Sequence, residues 1–383
     1  MPMNKNKITA ILLAGISLLS PLFVFAQIEE IPEYVPPEEN FYKGQVTQIL
    51  KEEIDDDIFI PAYERFSQTV EVKVLEGPED GSLMELIYTP GSTGDAPQNL
   101  KIGEKVVLLQ TENLDGEVYY IIDRYRFPSV IWLALFFLGL VILFAGWKGV
   151  RSMLGLIFSI AVILFYIIPN ILDGGNPFTT FIIAGLAIAL ASIYLGHGFN
   201  RRTSIAVVST LITLTLSIGL SVLAVEWTKL FGLGTEEAFY LQIGELGNIN
   251  LHGLLLGGII IGILGVLDDI TTAQAATVEE IYKANPSFNV KELVKRGLSV
   301  GHEHIVSLVN TLVLAYVGAS FPLLLLFSQS LNPLWITLNS ERIVEEIVRT
   351  LVGSSALVIA VPITTYLAAY YFNRFGSKST HQS

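Results

Sequence analysis

The chain has 383 residues, 51% hydrophobic and 15% charged, with a net charge of −13 and no cysteine. That balance belongs to membrane proteins rather than soluble ones, and the lack of cysteine excludes disulfides, thiolate metal sites, a lipoprotein anchor and a cysteine nucleophile. Residues 27–126 hold 22 Asp and Glu against 8 Lys and Arg, a balance of −14 that speaks against nucleic acid, whose backbone needs clustered cations.

Residues 1–26 carry Lys5 and Lys7, an apolar run from Ile8 to Phe25, and Val24 and Ala26 at the small-residue positions of a cleavage site. The pattern predicts a secretory signal with the mature chain starting at Gln27, the alternative being an uncleaved anchor that adds one helix. Residues 27–40, with Pro32, Pro36, Pro37 and five glutamates, are expected to form a flexible acidic leader. From 41 to 126 the period is two, clearest where Val70, Val72 and Val74 alternate with Glu71 and Lys73. Further strands are expected at Gly44–Leu50, Leu83–Thr89, Lys105–Gln110 and Val118–Arg124, separated by turns at Gly77–Gly81, Pro90–Pro97 and Asp115-Gly116. This predicts an all-β domain of five or six strands, a small barrel or sandwich, with an OB-like barrel as one form. Asp55, Asp56 and Asp57 lack the alternating ligands and glycine turn of a calcium loop, which favours a solvated acidic loop over a metal site.

Seven apolar segments follow Arg126: Ser129–Trp147, Ser152–Pro169, Phe178–Leu195, Ser204–Val225, Leu251–Leu267, Ile305–Phe327 and Leu351–Phe372. Their lengths lie near the ~20 helical residues that cover a hydrocarbon core of ~30 Å, and only helices satisfy every backbone amide within one such segment. The predicted fold is an α-helical polytopic membrane protein with about seven transmembrane helices (127–373) and an N-terminal extracytoplasmic all-β domain (41–126). Alternate loops carry the bases: ten (Lys148, Arg151, Arg201, Arg202, Lys283, Lys291, Lys295, Arg296, Arg374, Lys378) against three (Lys229, Arg342, Arg349). The positive-inside rule then places the N-terminus outside and the tail, 374–383, in the cytoplasm of a bacterial cell, with Trp132, Trp227, Trp335 and Tyr370 as interfacial anchors.

The fifth segment carries Gly253, Gly257, Gly258, Gly262 and Gly265. Glycines four apart form close-packing faces in lipid, and glycine-interrupted spans also border transport pathways. The segment ends at Asp268 and Asp269, followed by Thr271, Thr272 and Gln274; the sixth begins with His302, Glu303 and His304 and carries Ser307, Asn310, Thr311 and, deeper, Tyr316. Glu303, Ser307 and Asn310 share one helix face. Convergence of these groups at one cytoplasmic mouth would make Asp268, Asp269, His302, Glu303, His304 and Asn310 candidates for proton or ion handling; the plainer reading is that the charges cap helix ends at a wet interface.

Between these segments, in the connector near 273–300, Asn289 and Glu292 form a capping box and Phe288 and Leu293 a hydrophobic staple. Val290, Leu293, Val294 and Leu298 oppose Lys291, Lys295 and Arg296, which predicts an amphipathic helix on the inner leaflet. A second amphipathic stretch sets Ile343, Val344, Ile347 and Val348 against Glu341, Glu345 and Glu346. Pro322 and Pro362 are expected to kink spans six and seven. Glu245, Asn248, Asn250 and His252 line either an outer entrance or a polar loop. Enzymatic readings are weak: His302 and His304 are two apart rather than four, Asp268 and Asp269 share one helix, and no P-loop is present. No cofactor is expected.

The runs Leu254–Asp269, Gly301–Ile305 and Asn310–Tyr316 resemble those of bacterial YibE/F-like membrane proteins, over nearly the whole chain including the β-domain. The resemblance implies a multi-pass plasma-membrane protein and supplies no reaction, substrate or catalytic residue. Two functions stay open: a secondary permease or ion-coupled transporter, and a scaffold or sensor whose outer domain binds an envelope component. The bilayer is the expected partner, with a homo-oligomer or another membrane protein open.

Overall fold

The computed structural model describes residues 39–54, 66–89, 99–113, 116–244, 247–329 and 333–375. The predicted signal, residues 27–38 of the leader, Asp55–Asp57, the Pro90–Pro97 loop, Asp115, Glu245 and residues 376–383 lie outside them. The chain forms two compact units that divide between Ala134 and Leu135.

In the first unit, β1 (Asn40–Ile54), β2 (Phe66–Val74), β3 (Leu83–Tyr88), β4 (Lys105–Asn113) and β5 (Gly116–Arg124) form one antiparallel sheet in the order β3-β2-β1-β4-β5. β1 serves two neighbours in succession, pairing Asn40–Gln45 with β4 and Gly44–Ile54 with β2. Bulges after Val46 and Ile49 bend it, and β3 and β5 approach each other, so the sheet curls into a half-barrel of OB-like order. Alternate residues Val70, Val72, Val74, Val106 and Leu108 fill its interior. Gly44 sits where β1 changes partner; a Cβ there would meet Val72 Cγ1 at 2.5 Å and Leu108 Cδ1 at 3.0 Å.

Among the described residues six helices are long and apolar enough to cross a membrane, most of them in the second unit. The chain is a polytopic membrane protein. Its first apolar helix, Phe127–Leu172, comprises α1 (Phe127–Val162), a π-helical stretch Ile163–Ile167 and α2 (Ile168–Leu172). Unbroken, its 46 residues would reach about 70 Å, over twice the hydrocarbon thickness. Gly146 breaks it at φ 56°, ψ −139°, a conformation suited to glycine. Beyond that break a Cβ on Gly149 would lie 2.7 Å from the Val141 carbonyl oxygen, so the helix is sharply bent between the first two predicted segments. Trp132, Phe136, Phe144 and Trp147 are exposed along this helix. A helix apolar all round requires lipid or a large core around it.

The remaining helices are α3 (Pro177–His197), α4 (Arg201–Thr228), α5 (Glu236–Ile243), α6 (Leu251–Ala284), α7 (Val290–Ala319), α8 (Phe321–Ser328), α9 (Leu334–Leu338) and α10 (Glu341–Phe375). α4, α6 and α10 pack on one another, with α3 against α6 and α7 against α6 and α10. Leu214, Ile260, Ile263, Leu267, Leu357 and Val361 fill the centre. Three buried polar contacts tie the helices: the Thr210 and Thr271 hydroxyls lie 2.8 Å apart, and Gln274 donates to the Gly297 carbonyl and the Thr365 hydroxyl, each at 2.8 Å.

The predicted surface helix at Asn289–Leu298 is instead the beginning of α7, continuous with the sixth apolar segment. Its capping box is formed, but Leu293 and Val294 pack against Ala275, Val278 and Tyr282 of α6 and Ala368, Ala369 and Phe372 of α10. The apolar face is covered by protein, leaving none for a leaflet. The predicted sixth segment is divided at Ser320, two residues before Pro322, which takes a first-turn position in α8. α10 continues through Pro362.

Candidate functional site

α6 starts at Asn250, whose side chain accepts the Gly253 amide at 3.0 Å. Its glycines do three different things. Gly253 and Gly257 admit α3: a Cβ on Gly253 would sit 3.3 Å from the Phe178 nitrogen, and one on Gly257 would collide with the Phe181 ring. A Cβ on Gly262 would lie 3.2 Å from the Tyr316 hydroxyl of α7, whereas one on Gly258 or Gly265 would meet nothing within 4 Å. The predicted packing role therefore fits the geometry of Gly253 and Gly257, while Gly258 and Gly265 leave space.

Gly265 borders a cavity of about 280 Å³ walled by α1, α3 and α6. Its polar lining is Ser152 and Ser159 of α1, Ser192 and His197 of α3, and Asp268 and Asp269 of α6. The walls approach closely because glycine stands at the crossing; a Cβ on Gly155 would lie 3.2 Å from the Ser192 carbonyl oxygen. Arg151 closes the end of α3 by donating to the Leu195 and Tyr194 carbonyls at 3.1 and 3.3 Å.

Asp268 is the centre of this site. Its Oδ2 accepts a hydrogen bond from Ser192 Oγ at 2.9 Å, and its Oδ1 is buried with no hydrogen-bond partner among the described residues. A shielded carboxylate oxygen is costly unless paired. The space beside it has room for several waters, at about 30 Å³ each, or for a small cation. Such a carboxylate can take a proton, coordinate a cation or hold a water chain, with Asp269 adjacent and His197 on the opposite wall.

The predicted convergence of the two polar clusters is absent from this cavity: none of His302, Glu303 and His304 lines it. His302 and Glu303 are exposed, and His304 is half-buried with a shielded Nδ1 that has no partner among the described residues. Glu303, Ser307 and Asn310 do share a face, but it points away from the bundle, since Ile305, Leu308 and Val309 on the other side of α7 pack into the core. Thr271 and Gln274 are fully buried between helices. Asn248 and Asn250 line a separate cavity of about 440 Å³ with Asp173 and Asn176, while His252 lies 3.8 Å from Glu226. Among the described residues, no group of three or more His, Asp or Glu is placed to hold a metal ion.

Sequence reading missed Ser152, Ser159, Ser192 and His197. The signal was the spacing of Ser152, Gly155 and Ser159, and of Ser192 and Gly196, each a small, polar face on an apolar helix.

The profile of the family described as YibE/F-like protein matches residues 133–374. The chain belongs to the YibE/F-like family. The match runs from within α1 to the end of α10 and leaves β1–β5 outside, narrower than the resemblance drawn from the sequence. No curated protein and no solved structure matches this YibE/F-like protein. The carboxylate cavity lies wholly within the part that carries the family match.

Proposed function

We propose that this YibE/F-like protein is a secondary permease in which the Asp268 cavity takes up and releases a proton or small cation. One observation carries the reading: a buried carboxylate oxygen without a partner among the described residues, beside open space, on a helix whose Gly258 and Gly265 leave room for movement. Asp269 and His197 would share the charge, and Ser192 would orient Asp268. The loop charges, ten bases against three, support a plasma-membrane orientation with the β-domain outside and the C-terminus in the cytoplasm.

The test is flux in vesicles reconstituted with the full chain, read by a pH dye and by sodium and potassium indicators under imposed gradients. The wild type should carry one of these ions and Asp268→Asn should lose at least nine-tenths of that flux. Flux no greater than in protein-free vesicles, or undiminished flux through D268N, would refute the reading.

A second reading, a scaffold or sensor, is favoured by the separate core of the β-domain. Deleting residues 41–124 separates the two, because a sensor loses all cellular effect while a permease retains ion flux.

A further inference from the structure

A third cavity, of about 540 Å³, lies between α4 and α10. Arg201, Ile205 and Val208 supply one wall and Leu367, Tyr370 and Phe375 the other. Both sets recur at three, four or five residues along their helices, so the groove follows the helix axes for about 10 Å. Arg201 lines one end, and Arg374, outside the lining itself, stands against the lining Tyr370 and Phe375. Arg202 pairs with Glu279 at 3.5 Å, but Arg201 beside it has no carboxylate within ion-pair distance among the described residues. Arg374 likewise has no acidic partner among them; its guanidinium donates to the Tyr370 hydroxyl and stands 5.8 Å from the Tyr370 ring centre. Away from that end the wall is aliphatic and aromatic.

The geometry points to a binding site for one anionic phospholipid, its phosphate between Arg201 and Arg374 and an acyl chain along Ile205, Val208 and Leu367. Guanidinium groups bind phosphate through several donors at once, and basic pockets between membrane helices select anionic headgroups. A soluble anion would leave the apolar wall uncovered, and a zwitterionic lipid would bring its own cation to two arginines. The groove is separate from the Asp268 cavity, so this site stands or falls independently of ion transport.

Native mass spectrometry of the full-length protein in an uncharged detergent tests it, using phosphatidylglycerol, phosphatidylcholine with matched chains, and glycerol phosphate as the headgroup without chains. Wild type should retain phosphatidylglycerol over phosphatidylcholine and should not retain glycerol phosphate. Arg201→Gln and Arg374→Gln should each reduce that preference about five-fold, and the double variant more than either alone. Val208→Trp, which fills the apolar part and keeps both arginines, should weaken retention of both lipids at unchanged melting temperature. Equal retention of the two lipids by wild type overturns the site, as does an unchanged preference in the double variant or retention of glycerol phosphate as strong as that of the lipid.

Discussion

Glu345 accepts the Gly234 amide at 2.9 Å, and the fit is close: a Cβ on Gly234 would stand 2.5 Å from the Glu345 carboxyl carbon, so the carboxylate would have to shift. One turn earlier on α10, Glu341 accepts the amides of Phe231, Gly232 and Leu233 at 2.7, 3.0 and 3.2 Å. Four consecutive amides of the segment after α4 thus end on two carboxylates of one helix, which meets the demand that shielded backbone donors be satisfied. Gly234→Ala should destabilise the protein by about 1–3 kcal/mol through overpacking, and Glu345→Ala by about 1–3 kcal/mol through an orphaned amide. Thermal unfolding in detergent reads both; a G234A protein with the wild-type midpoint would mean the clamp is not closed.

The glycines of α6 should separate under substitution. Gly257→Ala places a methyl group in the Phe181 ring and should cost about 1–3 kcal/mol. Gly258→Ala meets nothing within 4 Å and should be neutral or gain up to about 1 kcal/mol from helix propensity. The difference in melting temperature between the two variants checks this, and equal midpoints would contradict it.

Gln274 is fully buried and holds α6 to both α7 and α10. Gln274→Leu should cost about 1–3 kcal/mol because it leaves the buried Gly297 carbonyl and Thr365 hydroxyl without that donor. Denaturation of the purified variant measures the loss. A midpoint at or above that of wild type would show that the bridge contributes nothing.

Within the proposed permease, Ser192→Ala removes the hydrogen bond to the Asp268 carboxylate yet leaves the carboxylate in place. It should slow ion flux by about ten-fold, as expected for a bond to a charged group worth about 1.5 kcal/mol. Asp268→Asn should be far more severe. Vesicle flux under one gradient ranks the two, and a ranking in the opposite order would remove Asp268 from the centre of the site.

Glu303, Ser307 and Asn310 face outward from α7 with no helix of this chain over them among the described residues. A polar stripe on a membrane helix favours pairing with another helix, and a carboxamide can donate to and accept from its own copy. Asn310→Leu should weaken self-association in detergent by about five-fold, at about 1 kcal/mol per interhelical polar contact. Light scattering of wild type and variant over a concentration series gives the answer; a wild type monomeric throughout would count against a paired stripe.

Much of the fold is legible in the residues because the signals are local. Period-two alternation at Val70–Val74 marks a strand that forms as β2, and Asn289 with Glu292 marks the start of α7. The surroundings of the first turns of α7 are not legible in this way, since an amphipathic face is equally suited to lipid and to protein. Only the positions of Val278 and Phe372 show which one covers Leu293. Glu345 reads as part of a polar face for the same reason, yet it is 3% exposed because the Gly234 segment folds over it.

Composition and hydropathy by themselves determined that the helical part of this protein belongs in a bilayer, since long apolar segments must bond their own backbones wherever water is absent. The charge pattern and the glycine spacing singled out α6, again from neighbours along one helix. Tertiary structure alone decided that Asp268 faces Ser192 and His197 rather than His302 and His304. Residues 71 and 76 positions apart meet there because Gly253 and Gly257 let α3 close against α6 while Gly155 lets α1 close on α3, and contacts between helices depend on how faces pack, which spacing within a single helix does not specify.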